Sequence, residues 1–385
     1  MHSIYFIINS TSINNNEFKL GKIDHMKRYL ILEDGTVFAG DAFGATINTT
    51  GGLALYTGAT GYQEAITNYS YTGQILAFTY PQQGNTGINR DDYENITTAL
   101  KGVVIGEGYP LTSHWHAQMT LDAFLKAQRI PGLMNVDVRR LHRHIAEHGN
   151  MKASLMDTHD EHAHDQIKAL VIPNNQVSQV STKQPYPSPN VGKNVVVLDL
   201  GLKNTVLREL SKRRCNITVL PFDTPSSLIE TLAPDGVLIS DGPGKPEALV
   251  KTIQIVKEIQ GHYPIFAIGL GFSVVALAND VSVETRPIAQ HQINLAVQEK
   301  ITGITNFVAQ NSAFSLSKND NLKDLLATFV TVNGDEVVGF RHRYLPIYAV
   351  NFDPEAAAGP KDGGHFFDDF IELMDAAIAR HRREI

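Results

Sequence analysis

Three short loops carry the residue types that could do chemistry, and each follows an apolar run. Asp241-Gly242-Pro243-Gly244 is a rigid loop whose glycines let backbone N–H groups approach a ligand closely. Gly269-Leu270-Gly271-Phe272-Ser273 follows Ile265–Ile268, at a strand-to-helix turn where N–H groups converge. Asp353-Pro354-Glu355 is the third loop. The second loop has the pattern of a nucleophile elbow, but its apex is Gly269, which has no side chain to react.

The glycines of the second loop also suggest a dinucleotide-binding turn, with Glu284 as the ribose ligand. Two observations disfavour that interpretation. Val274 stands where the third glycine belongs, and the loop follows the fourth predicted strand of its domain instead of the first.

Two histidine-rich segments raise the question of a metal site. The run 158–165 fits no recognised ligand spacing, and we interpret it as a solvated linker. His142, His144 and His148 share a predicted helix with several arginines, which is typical of a surface that faces solvent or a partner. We therefore predict no metal site.

The elements that must position the three loops belong to the second of two domains. The first part reads as mixed α and β, beginning with a hairpin that turns at Asp34-Gly35. It includes a predicted helix over Thr120–Gln128, for which Thr120 is the start signal. Residues 183–190 are rich in breakers. Beyond them, short apolar runs alternate with amphipathic stretches, which predicts a doubly wound parallel sheet with helices on both faces. The predicted divisions are an extension (1–26), an N-terminal α/β domain (27–155), a linker (156–192) and a C-terminal domain (193–385).

In such a sheet the active site lies beyond the carboxyl ends of the strands. The order of the three loops resembles that of the triad-type, class I glutamine amidotransferases, and most closely the small-subunit family of carbamoyl phosphate synthetase. The resemblance runs from Lys27 to about Leu373. Its most specific motifs are Leu32–Thr36, Thr60–Glu64, Thr79–Pro81 and Gly84–Asn89 in the first half, and Asp199–Lys203, Gly339–His342 and Pro354–Pro360 in the second.

The resemblance implies a glutaminase, but two catalytic positions depart from the family pattern. The family has Gly-Ile-Cys-Leu-Gly-His-Gln at the elbow, so Gly269 replaces the cysteine nucleophile. The family's His-Pro-Glu has become Asp353-Pro354-Glu355, which removes the general base and leaves Glu355 as the one retained member of the triad. We predict that glutamine hydrolysis has been lost.

The resemblance also implies a glutamine pocket that is only partly kept. Ser273 replaces the family's glutamine, and Asn311-Ser312-Ala313-Phe314 resembles its Asn-His-Gly-Phe. The implied glutamine-binding positions are Gly58, Gly242, Gly244, Leu270, Ser273, Asn311, Ala313 and Phe314.

Two residues are candidates for a replacement nucleophile. Ser273 lies one helical turn after the apex, so we expect its side chain to point away from it. Cys215 begins a predicted strand, where a buried thiol is the expected role. We expect neither residue to replace the missing cysteine.

Composition limits the possible partners. The chain has 385 residues, a formal net charge of −7 and a single cysteine, which suits a cytoplasmic protein and disfavours nucleic-acid or membrane binding.

The resemblance implies a large partner subunit that would use ATP and Mg²⁺, with no cofactor in this chain. Three hypotheses follow: a synthetase subunit that depends on free ammonia, a glutaminase with an unseen nucleophile, and a glutamine-sensing protein without a synthetase partner.

Overall fold

The computed structural model describes residues 26–109, 111–159, 161–317, 321–334 and 336–384. The predicted extension 1–26 therefore lies outside the described residues, apart from Met26 at its end. Part of the histidine-rich run 158–165 is also outside them.

The N-terminal domain is built on a closed β-barrel. The strands of the barrel are β1 (Lys27–Leu32), β2 (Val37–Gly44), β3 (Thr49–Tyr56), β4 (Gln74–Phe78), β6 (Gly102–Val104), β8 (Pro131–Met134) and β9 (Lys152–Met156). A separate two-stranded ribbon is formed by β5 (Gln82–Gln83) and β7 (Glu107–Gly108). The order around the barrel is β1-β2-β8-β6-β4-β3-β9. The turn at Asp34-Gly35 joins β1 to β2 as predicted: Gly35 has a φ of +88°, the left-handed conformation that glycine favours.

The described part of this domain contains three α-helices: α1 (Tyr62–Thr67), α2 (Leu121–Ala127) and α3 (Val138–His148). The start signal at Thr120 is confirmed, because its hydroxyl accepts a hydrogen bond from the Ala123 amide at 3.1 Å and so caps α2. Asp137 caps α3 in the same way, through the Arg140 amide at 2.9 Å.

The segment between the two domains contains regular structure. It carries α4 (Glu161–Ala169), α5 (Gln176–Val180) and β10 (Tyr186–Ser188). The buried Ile167 of α4 packs with Ile31 and Met156 of the barrel. The segment is therefore anchored to the barrel at Ile167, whereas Thr158, His159 and Asp165 of the histidine-rich run are exposed.

The C-terminal domain is one mixed sheet. Its further strands are β11 (Asn194–Asp199), β12 (Asn216–Pro221), β13 (Gly236–Ile239), β14 (Ile265–Ile268), β15 (Val283–Glu299), β16 (Thr305–Leu316), β17 (Leu325–Thr331), β18 (Val337–His342) and β19 (Ile347–Val350). The order across the sheet is β10-β12-β11-β13-β14-β19-β18-β17-β15-β16. The five neighbouring strands β12, β11, β13, β14 and β19 are parallel, as predicted. The strands β18, β17, β15 and β16, which extend the sheet beyond β19, pair antiparallel.

Helices cover both faces of the parallel strands. They are α6 (Asn204–Lys212), α7 (Ser226–Leu232), α8 (Val250–Ile259), α9 (Leu270–Ala278) and α10 (His365–Glu384). Along β11, Val196 and Leu198 belong to the apolar cluster that includes α8 and α9. Val195 and Val197 belong to the cluster that includes α6 and α10. Successive side chains of a strand point to opposite faces, so a strand buried on both faces reads as a continuous apolar run.

Among the described residues, no helix is long and apolar enough to cross a membrane.

Candidate functional site

The elbow forms where the sequence places it. Gly269 lies between β14 and α9, with a φ of +56° and a ψ of −111°, and its amide donates to the Val350 carbonyl at 2.9 Å. L-residues rarely adopt this conformation, so a side chain here would be strained. The backbone of a nucleophile elbow is thus present without the nucleophile.

A carboxylate fills the space that a nucleophile's side chain would need. A Cβ atom added to Gly269 would lie 2.1 Å from Oδ1 of Asp241 and 2.5 Å from its Cγ. Asp241 follows β13, and its Oδ1 accepts a hydrogen bond from the Leu270 amide, the first of α9, at 2.8 Å. Its Oδ2 accepts one from the Ser70 hydroxyl at 2.6 Å. Burial raises the pKa of Asp241, and the positive charge of Lys203 opposes that shift.

The backbone N–H of Leu270, which donates to Asp241, is the donor that hydrolysis of a carboxamide would use. Backbone N–H groups at the start of a helix stabilise the oxyanion that forms when a carbonyl is attacked. Because Asp241 already accepts the Leu270 N–H, that donor is not free to bind an oxyanion. The elbow therefore lacks both a nucleophile and an unoccupied donor at its first helical residue.

A buried lysine binds the residues at the other two predicted triad positions. Nζ of Lys203 lies 2.7 Å from Oδ1 of Asp353 and 2.5 Å from Oε1 of Glu355. Burial alone lowers the pKa of Lys203, but the carboxylates of Asp353 and Glu355 outweigh it and hold the pKa well above its ordinary value. Lys203 is thus a charged ammonium at neutral pH. Burial raises the pKa of Glu355, and Lys203 opposes that shift.

This geometry gives Asp353 a structural partner instead of a catalytic one. A general base must reach the proton it removes, within about 3 Å of the nucleophile. Asp353 is bound to Lys203 on one side, and its amide donates to the Ala309 carbonyl at 2.8 Å. No described thiol stands beside it, because Cys215, the only cysteine in the chain, lies elsewhere.

The site lies where the two domains meet. Glu94 of the N-terminal domain accepts hydrogen bonds from the hydroxyl of Thr205 at 2.7 Å and from its amide at 3.2 Å, at the first turn of α6. Ser70, also from the N-terminal domain, binds Asp241 as described above. Burial raises the pKa of Glu94, with Lys203 opposing. Charged groups of both domains therefore share one buried cluster around Lys203.

A cavity of about 160 Å³ opens beside the elbow. Of the predicted glutamine-binding positions, it is lined by Gly242, Gly244, Leu270, Ser273, Asn311, Ala313 and Phe314. Gly58 does not line it. That residue lies against the ring of Tyr56, where a Cβ would come within 2.7 Å of a ring carbon.

The two candidate replacement nucleophiles have different surroundings. Ser273 is buried and lines the cavity. Cys215 is fully buried in the cluster that includes α6 and α10, and burial raises the pKa of its thiol to about 11. A thiol with that pKa is protonated at neutral pH and is a poor nucleophile.

The histidine surface of α3 contains one arrangement that the sequence did not suggest. Asp34, His144 and His148 bring potential ligand atoms within 4.8 Å of one another. Oδ2 of Asp34 already lies 2.6 Å from Nε2 of His144, and Nδ1 of His148 bonds to the His144 carbonyl at 2.9 Å. Asp34 and His148 are exposed, in agreement with a surface role for this helix.

Sequence reasoning missed two residues at the centre of the site. Lys203 entered only as the end of the motif Asp199–Lys203, and Asp241 only as the start of a tight turn. The signal available for Lys203 was its position in the short loop between β11, which ends at Asp199, and α6. The signal available for Asp241 was an acidic residue directly before Gly-Pro-Gly, together with the absence of a side chain at Gly269.

The fold and the site together define a class I glutamine amidotransferase domain joined to a second, barrel domain. Residues 196–373 match the family "Glutamine amidotransferase class-I", and residues 30–155 match "Carbamoyl-phosphate synthase small chain, CPSase domain".

Relatives over nearly the whole chain make the family specific. Carbamoyl phosphate synthase small chain of Streptococcus mutans is 47% identical over 352 residues, covering 91% of this chain and 97% of that protein. The small chain of Lactococcus lactis subsp. cremoris is 48% identical over 351 residues, covering 91% and 98%. The small chain of Streptococcus pneumoniae TIGR4 is also 48% identical over 351 residues, with the same coverage. The chain belongs to the carbamoyl phosphate synthase small-chain family.

Proposed function

We propose that this chain is the small subunit of a carbamoyl phosphate synthase that no longer hydrolyses glutamine and that uses free ammonia. The observation that carries the proposal is the position of Asp241. Its carboxylate occupies the space of the missing nucleophile and accepts the Leu270 N–H that an oxyanion would need. The missing cysteine is thus accompanied by a second feature that opposes the same reaction.

The state of the other triad positions supports the same function. A carboxylate bound to an ammonium group cannot supply the imidazole chemistry of the family, which takes a proton from the thiol and returns it to the departing ammonia. Asp353 is bound in this way to Lys203. Loss of nucleophile, base and oxyanion donor together costs several orders of magnitude in rate.

The large-subunit partner is part of the proposal. It would bind ATP, Mg²⁺ and bicarbonate, and this chain would hold no cofactor of its own. One surface of the N-terminal domain suits a partner: Leu111 and Trp115 lie on one loop and are 79% and 82% exposed. Large apolar side chains this exposed are typical of protein interfaces. We place the complex in the cytoplasm.

The test is a comparison of nitrogen sources. The chain is co-expressed with the large subunit of its own genome, and carbamoyl phosphate formation is measured with ammonium chloride or with glutamine. We expect ammonium-dependent synthesis, and with glutamine no glutamate above an enzyme-free blank. The positive control is another small chain of the same family, one that has cysteine and histidine at the positions corresponding to Gly269 and Asp353.

Two results would reject the proposal. Glutamate production that persists after Ser273→Ala and Cys215→Ala would mean that an unrecognised nucleophile is active. Separate elution of the two subunits in size-exclusion chromatography at micromolar concentration would favour a binding protein without a synthetase partner.

A further inference from the structure

Three side chains of the N-terminal domain bring metal-ligand atoms together outside the site described above. Asp34 lies in the turn between β1 and β2, and His144 and His148 lie one helical turn apart on α3. One potential ligand atom of each residue lies within 4.8 Å of the other two. Asp34 is 110 positions from His144 in the chain, so the spacing of the histidines alone does not reveal this set.

The carboxylate and the first imidazole already face each other. Oδ2 of Asp34 lies 2.6 Å from Nε2 of His144. The other oxygen, Oδ1, accepts a hydrogen bond from the Thr36 amide at 2.9 Å, which fixes the orientation of the carboxylate. In a tetrahedral zinc site, with bonds of about 2.0–2.2 Å, neighbouring ligand atoms are about 3.3 Å apart. A cation can therefore take the place of the shared hydrogen after a small outward movement of these two side chains.

The second imidazole is oriented by a hydrogen bond of the kind that supports metal ligands. Nδ1 of His148 lies 2.9 Å from the His144 carbonyl oxygen, and it is the donor because a carbonyl oxygen only accepts. In the neutral ring the lone pair then belongs to Nε2. Metal-binding histidines commonly donate their other N–H to a backbone carbonyl in this way. The ring also stacks on that of His144, with centroids 4.3 Å apart, so the two imidazoles lie side by side.

The elements that carry the three side chains provide a frame for a cation. The turn is closed by a hydrogen bond from the Gly35 amide to the Leu32 carbonyl at 2.9 Å. His148 is the last residue of α3, and the unpaired carbonyl groups at the end of a helix stabilise positive charge. Two imidazoles and one carboxylate suit Zn²⁺, whereas Mg²⁺ and Ca²⁺ prefer oxygen ligands.

We propose that Asp34, His144 and His148 bind one Zn²⁺ ion, with water completing its coordination. Three protein ligands and one position for water are a common arrangement for zinc. The role of the ion is structural, because it joins the β1–β2 turn to the end of α3. All three ligands belong to the N-terminal domain, so the proposal does not depend on whether the chain hydrolyses glutamine.

The test is a calorimetric titration of the untagged full chain with ZnCl₂. We expect one site with a dissociation constant of about 10 µM or lower, for which an excess of MgCl₂ does not compete. His148→Ala and Asp34→Asn should each weaken binding at least about tenfold. Asp34→Asn keeps an oxygen acceptor for the Thr36 amide and so preserves the turn. The matched control is His142→Ala, because His142 is an exposed histidine of the same helix outside the set, and this variant should bind like the native chain.

Unfolding in urea gives a second measurement. An ion that binds only the folded state raises the unfolding midpoint, so ZnCl₂ should raise it in the native chain and in His142→Ala but not in His148→Ala. Binding that keeps its native affinity in the double variant His144→Ala/His148→Ala would come from another part of the chain, such as the histidine-rich run 158–165, and would overturn the proposal. Absence of binding at submillimolar ZnCl₂, or equal competition by MgCl₂, would overturn it as well.

Discussion

Restoring the thiol tests how the elbow is now occupied. In Gly269→Cys the new Cβ would overlap Oδ1 of Asp241, at 2.1 Å, so the carboxylate must move. Moving it breaks its hydrogen bonds to the Leu270 amide and the Ser70 hydroxyl. A hydrogen bond to a charged group contributes about 1.5–3 kcal/mol. The backbone conformation of Gly269 adds strain of about 1–3 kcal/mol for any other residue.

We therefore expect Gly269→Cys to lower the free energy of unfolding by about 4 kcal/mol, from about 2 kcal/mol of strain and at least one lost hydrogen bond. Urea unfolding followed by circular dichroism measures it. Gly303→Cys is the matched control, because Gly303 also has a positive φ, of +73°, and a Cβ there would meet nothing within 4 Å. The control variant has strain without overlap and should lose about 2 kcal/mol or less.

A double variant isolates the overlap. Asp241→Ala removes the carboxylate, so Gly269→Cys in that background should cost about 2 kcal/mol less than in the native chain. Strict additivity of the two substitutions, or a Gly269→Cys variant no less stable than Gly303→Cys, would refute the assignment of Asp241 to the nucleophile's space. None of these variants should hydrolyse glutamine, because Asp353 provides no imidazole.

Three further predictions follow from buried charge and exposed apolar surface. Lys203→Met leaves the carboxylates of Asp353 and Glu355 without their cation, so the free energy of unfolding in urea should fall by about 3–5 kcal/mol. Lys212→Met breaks an exposed ion pair and should lower it by less than about 1 kcal/mol. Similar losses in the two variants would contradict the role of Lys203 as the cation of this buried cluster. Burial raises the pKa of Glu64 from 4.5 to about 8, so the folded state holds its proton to higher pH than the unfolded state does, and stability should fall as pH rises from 4.5 to 8, at up to ~1.4 kcal/mol per unit. Glu64→Gln should flatten that slope, and an unchanged slope would refute the role of Glu64. Trp115→Ser should weaken large-subunit binding at least about tenfold in calorimetry without changing the unfolding midpoint, and an unchanged affinity would remove this loop from the interface.

Local signals predicted the parts of the fold that depend on local chemistry. The turn at Asp34-Gly35, the cap at Thr120 and the parallel strands of the C-terminal sheet are present as predicted. The long strand β15 was not predicted, because its pairing with β16 is interrupted by irregularities between Thr285 and Gln290 and between Gln292 and Leu295. Each irregularity shifts which residues face the core, so the alternation of a regular strand is lost.

Only those site residues that belong to a single short motif could be predicted from the sequence. Gly269 and Asp353 stand out because each replaces one member of a short pattern. The role of Asp241 depends on the ends of β13 and β14 lying side by side, and on a missing side chain at one of them. The role of Lys203 depends on the same convergence with the end of β19. Contacts of this kind join residues far apart in sequence, and the spacing of a motif does not reveal them.

The contacts of Asp241 and Lys203 also bear on what glutaminase activity would require in this chain. A cysteine at position 269 conflicts with Asp241, and a histidine at position 353 would leave Lys203 with Glu355 as its remaining close ion-pair partner in the described site. Either reversion alone removes stabilising contacts and restores no reaction, since each of the two groups needs the other. The same contacts join the domains, through Ser70 to Asp241 and Glu94 to Thr205. Glutaminase activity would therefore require at least three coordinated substitutions, at positions 241, 269 and 353. The substitution at position 241 would also remove the hydrogen bond from Ser70 and so weaken the contact between the domains.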